Sequence, residues 1–162
     1  MELWDAYDSN FRKQEGRRFI RGEKIPEGMF HLVCDVIVRH IDGSYLLMLR
    51  DHRKRHGGQW EASAGGSAIA GETPIQCAVR ELYEETGITA ENIREIGRER
   101  NARNRAVYVE FICITDVDKK NIVLQEGETS GYRWVDRDEL LSMKDNGLCS
   151  VRILKYVEEL QD

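Results

Sequence analysis

The 162-residue sequence is short of prolines and of long apolar runs, and each shortage excludes a class of protein. Its two prolines, Pro26 and Pro74, and the lack of any repeat or low-complexity segment give no sign of an interdomain linker. No apolar stretch approaches the ~20 residues that a membrane helix needs. The first residues lack the basic and apolar regions of a signal peptide. We therefore expect a single domain, spanning 1–162, with no membrane partner.

The sequence also lacks a net positive charge and closely spaced cysteine pairs. The formal net charge is −5, which argues against a protein that coats a nucleic-acid polymer through its overall charge. The four cysteines form no C-x-x-C pair, which favours reduced thiols in a cytoplasmic protein over a disulfide framework or a zinc site. We expect a small-molecule partner and no nucleic-acid polymer, and a homodimer is compatible with the sequence.

The hydrophobic pattern predicts strands in runs, with helices between and after them. Residues 1–27 are polar and rich in turn formers, as in a short hairpin or arm, and 51–66 are predicted to be a long loop. The predicted strands are 29–38, 44–50, 93–101, 105–116 and 131–136, and the predicted helices are 74 to about 85, 137–143 and 149–160. We therefore predict an α/β (α+β) domain in which a mixed β-sheet packs between helices.

The first predicted helix has clear start and stop signals. Thr73 is a suitable N-cap, Pro74 suits the first helical position, and Gly87 is typical of a helix C-terminus. At about 100° per residue, one stripe of this helix is expected to face the core. Its members are Ile75, Ala78, Val79, Leu82 and Thr86.

An acidic cluster on this helix has too little basic charge to balance it. The stretch "GETPIQCAVRELYEETG" places Glu72, Glu81, Glu84 and Glu85 near one arginine, Arg80, and contains no lysine. Glu81 and Glu85 lie one turn apart, so their side chains should converge. Carboxylate oxygens are the ligands that Mg²⁺ and Mn²⁺ prefer, so the cluster indicates a divalent metal site. The alternative is a solvated acidic helix face.

The surrounding residues favour the metal site. Gly65 and Gly66 allow the backbone to approach closely, so that a carbonyl oxygen could join the ligands. Arg80 could hold one carboxylate in a fixed position through a bidentate contact.

The spacing of these residues resembles the signature of the Nudix hydrolases, G-x5-E-x7-R-E-U-x-E-E-x-G-U, where U is a bulky aliphatic residue. The matching residues are Gly66, Glu72, Arg80, Glu81, Leu82, Glu84, Glu85, Gly87 and Ile88. The resemblance implies a Nudix fold with the Nudix box at 66–88. It also implies that Mg²⁺ or Mn²⁺ grips the diphosphate of a nucleotide or related small molecule that the enzyme hydrolyses.

Within this resemblance we expect Glu81 and Glu85 to be the primary metal ligands. Glu84 would lie beside them, and a carbonyl of Gly65 or Gly66 would complete the set. Glu72 would make a weaker metal contact or orient the loop. Arg80 would position a carboxylate.

The general base comes either from the box or from a glutamate on a later loop in this family. In the stretch "LQEGETS" the candidates are Glu126 and Glu128, for which a solvated acidic turn is an equally good interpretation. In "RDHRKRH", Arg50, Arg53 or Arg55 could hold substrate phosphates, although surface charge without a ligand is the default interpretation.

Aromatic side chains could stack on a base. The candidates are Trp4, Trp60 and Tyr108, each of which could equally be a packing residue. The chain lacks the motifs that mark the family's ADP-sugar and NADH hydrolases. The substrate class, a nucleoside diphosphate linked to another moiety, is implied by the family resemblance, and the sequence does not name the substrate itself.

Segments outside the box, such as "GQWEASAGG", resemble the Nudix branch related to isopentenyl diphosphate isomerase. That isomerase needs a cysteine and a histidine where this chain has Gly65 and Ser67. His31 matches one of its metal-binding histidines, but the distant partner falls near Lys24. We therefore expect no isomerisation and expect His31 to be a strand histidine satisfied by a hydrogen bond.

A third alternative is a catalytically silent module that only senses a nucleotide. Such a protein has no need of the metal-binding carboxylates, and all of them are present in this sequence. Hydrolysis is therefore the favoured function.

Overall fold

A computed structural model describes residues 1–160, which form nine strands, three α-helices and one 3₁₀ turn. The strands are β1 (Leu3–Tyr7), β2 (Lys13–Ile20), β3 (His31–His40), β4 (Tyr45–Arg50), β5 (Trp60–Glu61), β6 (Ala64–Ser67), β7 (Asn92–Asn101), β8 (Ala106–Thr115) and β9 (Thr129–Val135). The helices are α1 (Pro74–Thr86), α2 (Arg137–Ser142) and α3 (Leu154–Glu159), with the 3₁₀ turn at Met143–Asp145.

Seven strands form one mixed sheet. Its main order is β5-β4-β3-β8-β7, with β6 also paired to β3 and β9 to β4. The β3–β8 pair is parallel and the other pairs are antiparallel. β1 and β2 form a separate antiparallel hairpin within the segment 1–27, for which the sequence predicts a hairpin or an arm.

The two faces of the sheet bury different side chains, as the alternation along a strand requires. On β4, Leu46 and Met48 join the core under α1, whereas Tyr45 and Leu47 join the core under α2 and α3. The predicted mixed sheet between helices is therefore confirmed.

Helix α1 begins and ends where its local sequence predicts. The Thr73 hydroxyl accepts a hydrogen bond from the Gln76 N–H at 3.3 Å, and the Gln76 side chain accepts one from the Thr73 N–H at 2.9 Å. This reciprocal capping satisfies two otherwise unpaired donors. Gly87 ends the helix at a φ of 75°, where a side chain would be strained.

The predicted core stripe of α1 was partly wrong. Ile75 and Val79 are 40% and 37% exposed, whereas Cys77 and Glu85 are buried. The helix rests on the glycine-rich strand β6, where the Cys77 Sγ lies 3.6 Å from the Gly66 carbonyl oxygen. Compared with the predicted orientation, α1 is rotated about its axis, so that its acidic face lies toward the sheet.

Two other predicted segments also differ from the structure. The predicted loop at 51–66 contains β5 and the start of β6. The predicted helix at 149–160 is helical only from Leu154 to Glu159. Backbone hydrogen bonds explain the shortening, because the Trp60 N–H donates to Gly147 at 2.7 Å and the Cys149 N–H donates to Trp60 at 3.0 Å. Residues 147–149 therefore run beside β5 instead of coiling.

The hairpin is attached to the loop that precedes α1. The Ala70 N–H donates to the Leu3 carbonyl at 2.8 Å, and the Gly71 N–H donates to the Asp5 carboxylate at 2.7 Å. Among residues 1–160, no helix combines the length and the apolar character needed to cross a bilayer.

Candidate functional site

A cavity of about 240 Å³ lies where α1, β6, the hairpin and the loop before β9 meet. Its charged lining residues are Glu2, Arg21, Lys54, Arg80, Glu81, Glu84, Glu85 and Glu128. Gly65 and Gly66 form part of its floor. The structure thus brings the acidic face of α1 and the two glycines of β6 to one cavity.

Glu85 is the most buried carboxylate among those that line this cavity. Its side chain is 6% exposed, and its Oε2 has no hydrogen-bond partner within the described chain. Burial raises the pKa of Glu85 well above its ordinary value, and the charges of Glu81 and Glu128 add to the rise. A hydrogen bond from the Gly65 backbone opposes that rise. Glu85 is therefore a group whose charge is poorly compensated by protein atoms.

Glu81 lies directly against β6. A β-carbon at position 66 would collide with the Glu81 carboxylate, so only glycine allows this approach. Arg80 Nη1 donates to Glu81 Oε1 at 2.7 Å. Burial raises the pKa of Glu81, while the Arg80 hydrogen bond acts in the opposite direction.

Arg80 connects the acidic residues of the box. It makes a bidentate contact with Glu72, with distances of 2.6 Å and 3.0 Å, and reaches Glu84 at 3.2 Å. Glu72 also accepts a hydrogen bond from the Ile69 N–H at 2.9 Å, and it does not line the cavity. Both Glu72 oxygens thus accept hydrogen bonds from the loop or from Arg80. These contacts favour the prediction that Glu72 orients the loop over the prediction that it contacts the metal directly.

The donor set of the cavity suits a hard divalent cation. Among residues 1–160, no three carboxylate, imidazole or thiol side chains already stand together as a metal cluster. Glu85, whose Oε2 has no partner within residues 1–160, nevertheless lines a cavity with further carboxylates, beside the two glycines of β6. Oxygen donors of this kind match the preference of Mg²⁺ or Mn²⁺.

The two loop glutamates differ in position. Glu128 lines the cavity and forms an ion pair with Lys54, and its charge contributes to the raised pKa of Glu85. Glu126 is exposed and does not line the cavity. Geometry therefore separates two residues that the sequence left equivalent.

The predicted phosphate-binding arginines lie outside this cavity. Arg50 forms an ion pair with Glu61, and Arg53 forms a bidentate contact with Asp51 at 2.8 Å and 2.9 Å. Arg50 and Arg55 line a second cavity of about 380 Å³, which Gly65 and Gly66 also line.

The second cavity contains a charge cluster that sequence reasoning missed. Arg152 pairs with both Asp35 and Glu110, and its guanidinium lies 3.6 Å from the centre of the Tyr108 ring. Burial raises the pKa of Glu110, with a further contribution from the Asp35 charge. The available signal was one acidic residue in each of the otherwise apolar segments "HLVCDVIV" and "VYVEFICI".

The remaining aromatic candidates make intramolecular contacts. Trp4 stacks on His31 with ring centres 4.2 Å apart, and Trp60 lies under the Arg133 guanidinium at 4.9 Å. His31 Nδ1 lies 3.0 Å from the Arg105 carbonyl oxygen, which confirms the predicted satisfied strand histidine.

Comparison with known proteins places these features in a family. Residues 29–154 match the family model described as the NUDIX domain. An uncharacterized Nudix hydrolase of Listeria monocytogenes is 34% identical over 149 residues, covering 91% of this chain and 87% of the relative. The NAD-capped RNA hydrolase NudC of Haemophilus influenzae is 30% identical over 135 residues, covering 81% of this chain but only 50% of that protein.

Solved structures share the fold. A Deinococcus radiodurans protein superposes with a TM-score of 0.79 at 15% identity, covering 99% of this chain and 100% of its own. The Nudix domain of Shewanella oneidensis NrtR, solved with ADP ribose, gives a TM-score of 0.64 at 19% identity, covering 80% of this chain and 87% of that one. The chain therefore belongs to the Nudix hydrolase family, whose enzymes act on acid anhydrides in phosphorus-containing substrates.

Proposed function

We propose that this protein is a metal-dependent pyrophosphohydrolase that cleaves the diphosphate linkage between a nucleoside diphosphate and another moiety. The observation that carries the proposal is the state of Glu85, which is buried beside other carboxylates with one oxygen unpartnered in the described chain. A folded protein gains little from such a carboxylate unless a cation binds it.

In this proposal the box residues divide into ligands and supports. Glu81 and Glu85 hold the metal, with Glu84 beside them and a Gly65 or Gly66 carbonyl completing the set. Arg80 positions Glu81, and Glu72 fixes Arg80 and the loop, as their contacts suggest. When bound, Mg²⁺ or Mn²⁺ would neutralise charge on the phosphoryl oxygens and lower the pKa of water.

Glu128 is the general base that the geometry favours. It accepts a proton from the attacking water, while Lys54 holds its carboxylate in place. Glu126 has less support in this role, because it is exposed and does not line the cavity.

Two comparisons support a nucleoside diphosphate as the substrate class. The NudC relatives are named for NAD-capped RNA, and the Shewanella neighbour was solved with ADP ribose. The cavity that Arg152 and Tyr108 line adjoins Gly65 and Gly66, so the moiety beyond the diphosphate would occupy it. The resemblance to the isomerase-related branch and the location in the cytoplasm remain predictions.

A substrate panel tests the proposal. Purified protein should be incubated with ADP-ribose, NADH, dinucleotide polyphosphates, nucleoside triphosphates, prenyl diphosphates and NAD-capped RNA, each with Mg²⁺ or Mn²⁺. We expect hydrolysis of at least one nucleoside diphosphate derivative, and we expect the RNA to be a poor substrate. Turnover that is undiminished in excess EDTA would refute metal dependence.

A further inference from the structure

The N-terminal hairpin forms one wall of the cavity that Glu81 and Glu85 line. It contributes Glu2, which immediately precedes β1, and Arg21, which immediately follows β2. These two residues lie outside the segment 29–154 that matches the family model. The hairpin therefore adds charged groups to the site that the family signature does not specify.

Contacts with the loop that precedes α1 hold the hairpin in position as a wall of the cavity. Asp5 is 5% exposed, accepts the Gly71 N–H at 2.7 Å and pairs with Lys13 at 2.9 Å. The backbone bond from Ala70 to Leu3 adds a second attachment. Charge-assisted hydrogen bonds of a buried carboxylate are strong, so the hairpin is held against the cavity.

Glu2 directs the Arg21 side chain. The Arg21 N–H donates to the Glu2 carbonyl at 3.0 Å, and Arg21 Nη1 donates to Glu2 Oε2 at 3.2 Å. The other Glu2 oxygen accepts the indole N–H of Trp4 at 2.7 Å. The guanidinium is thus oriented before any ligand binds, which lowers the entropic cost of using it.

Arg21 is the most available cation of the cavity. Arg80 is held by three glutamates and Lys54 by Glu128, with side-chain exposures of 23% and 29%. Arg21 is 62% exposed and, in the described part of the chain, its guanidinium makes one contact, with Glu2. A guanidinium carries five N–H donors, so most of those of Arg21 can reach a ligand.

We propose that Arg21 binds a phosphate oxygen of the substrate at the mouth of the cavity. This inference rests on the proposed function. Five glutamates line the cavity, so an entering diphosphate needs a cation at the mouth. Arginine meets phosphate in a bidentate geometry that lysine cannot reproduce.

Calorimetric titration with methylenediphosphonate in Mg²⁺ tests the inference, because the P–C–P bond is not hydrolysed. We expect Arg21→Gln to raise the Kd about tenfold and Arg21→Lys to raise it less. Arg17→Gln is the matched control, since Arg17 is exposed on the same hairpin but does not line the cavity. Its Kd should equal that of the wild type.

Two results would overturn the assignment of Arg21. One is an Arg21→Gln protein that binds as tightly as a wild type that does bind. The other is an equal loss of affinity in Arg17→Gln, which would mean that only the general charge of the hairpin matters. A wild type without Mg²⁺-dependent binding would overturn the proposed function itself, and the assignment with it.

Discussion

Among individual residues, Glu85 is a buried carboxylate of the cavity whose charge the surrounding protein compensates poorly. Its carboxylate is buried, lies near the charges of Glu81 and Glu128, and has one oxygen without a partner in the described chain. Burying such a group costs free energy unless its charge is compensated. Strongly perturbed carboxylates of this kind concentrate at functional sites.

Substituting Glu85 by an uncharged residue should therefore not lower the free energy of unfolding of the metal-free protein. In EDTA, we expect Glu85→Gln to unfold with a free energy equal to that of the wild type or up to about 1 kcal/mol higher. Urea denaturation measures this difference, with the exposed Glu91→Gln as the control. A loss of more than about 1 kcal/mol would indicate that Glu85 stabilises the apo fold.

The two loop glutamates provide a second test at this scale. Glu128→Gln should lower kcat about 10²–10⁴-fold if Glu128 is the general base. Glu126→Gln changes a neighbouring exposed glutamate in the same loop and should leave kcat within about twofold. Equal effects of the two substitutions would remove Glu128 from the proposed role.

Among the structural elements, local chemistry decided what the sequence could predict. The bounds of α1 followed from Thr73, Pro74 and Gly87, because capping and proline preferences act within one turn. The rotation of α1 did not follow, since it depends on contact with Gly66, a residue on another element. The Asp35–Arg152 pair was also missed, because its members are far apart in sequence.

Gly66 links the sheet to the site and can be tested alone. Gly66→Ala should displace the Glu81 carboxylate and lower turnover by at least about 10²-fold, while the far-UV circular dichroism is retained. Gly131→Ala on β9 is the control, because its β-carbon would meet Leu49 at an ordinary 3.6 Å. Full activity of Gly66→Ala would show that the close approach is unnecessary.

At the scale of the whole molecule, the alternative to hydrolysis is the isomerisation of isopentenyl diphosphate. This chain has Gly65 and Ser67 at the places where the resemblance requires a cysteine and a histidine, and His31 contacts the Arg105 carbonyl. We therefore expect no dimethylallyl diphosphate when isopentenyl diphosphate is supplied with Mg²⁺. Product analysis by mass spectrometry with a known isomerase as positive control decides this, and steady formation of the allylic isomer would contradict it.

The central claim is that the acidic cavity holds a catalytic metal, and thermal unfolding with and without Mg²⁺ tests it most directly. At a Mg²⁺ concentration of roughly 100 times the Kd, binding to the native state contributes about 2.7 kcal/mol. For a domain of this size that corresponds to a Tm increase of about 5–10 °C. We predict this increase for the wild type and a much smaller one for Glu85→Gln, whose turnover should also fall about 10²–10⁴-fold. The same Tm increase in both proteins, with the same turnover, would contradict the account.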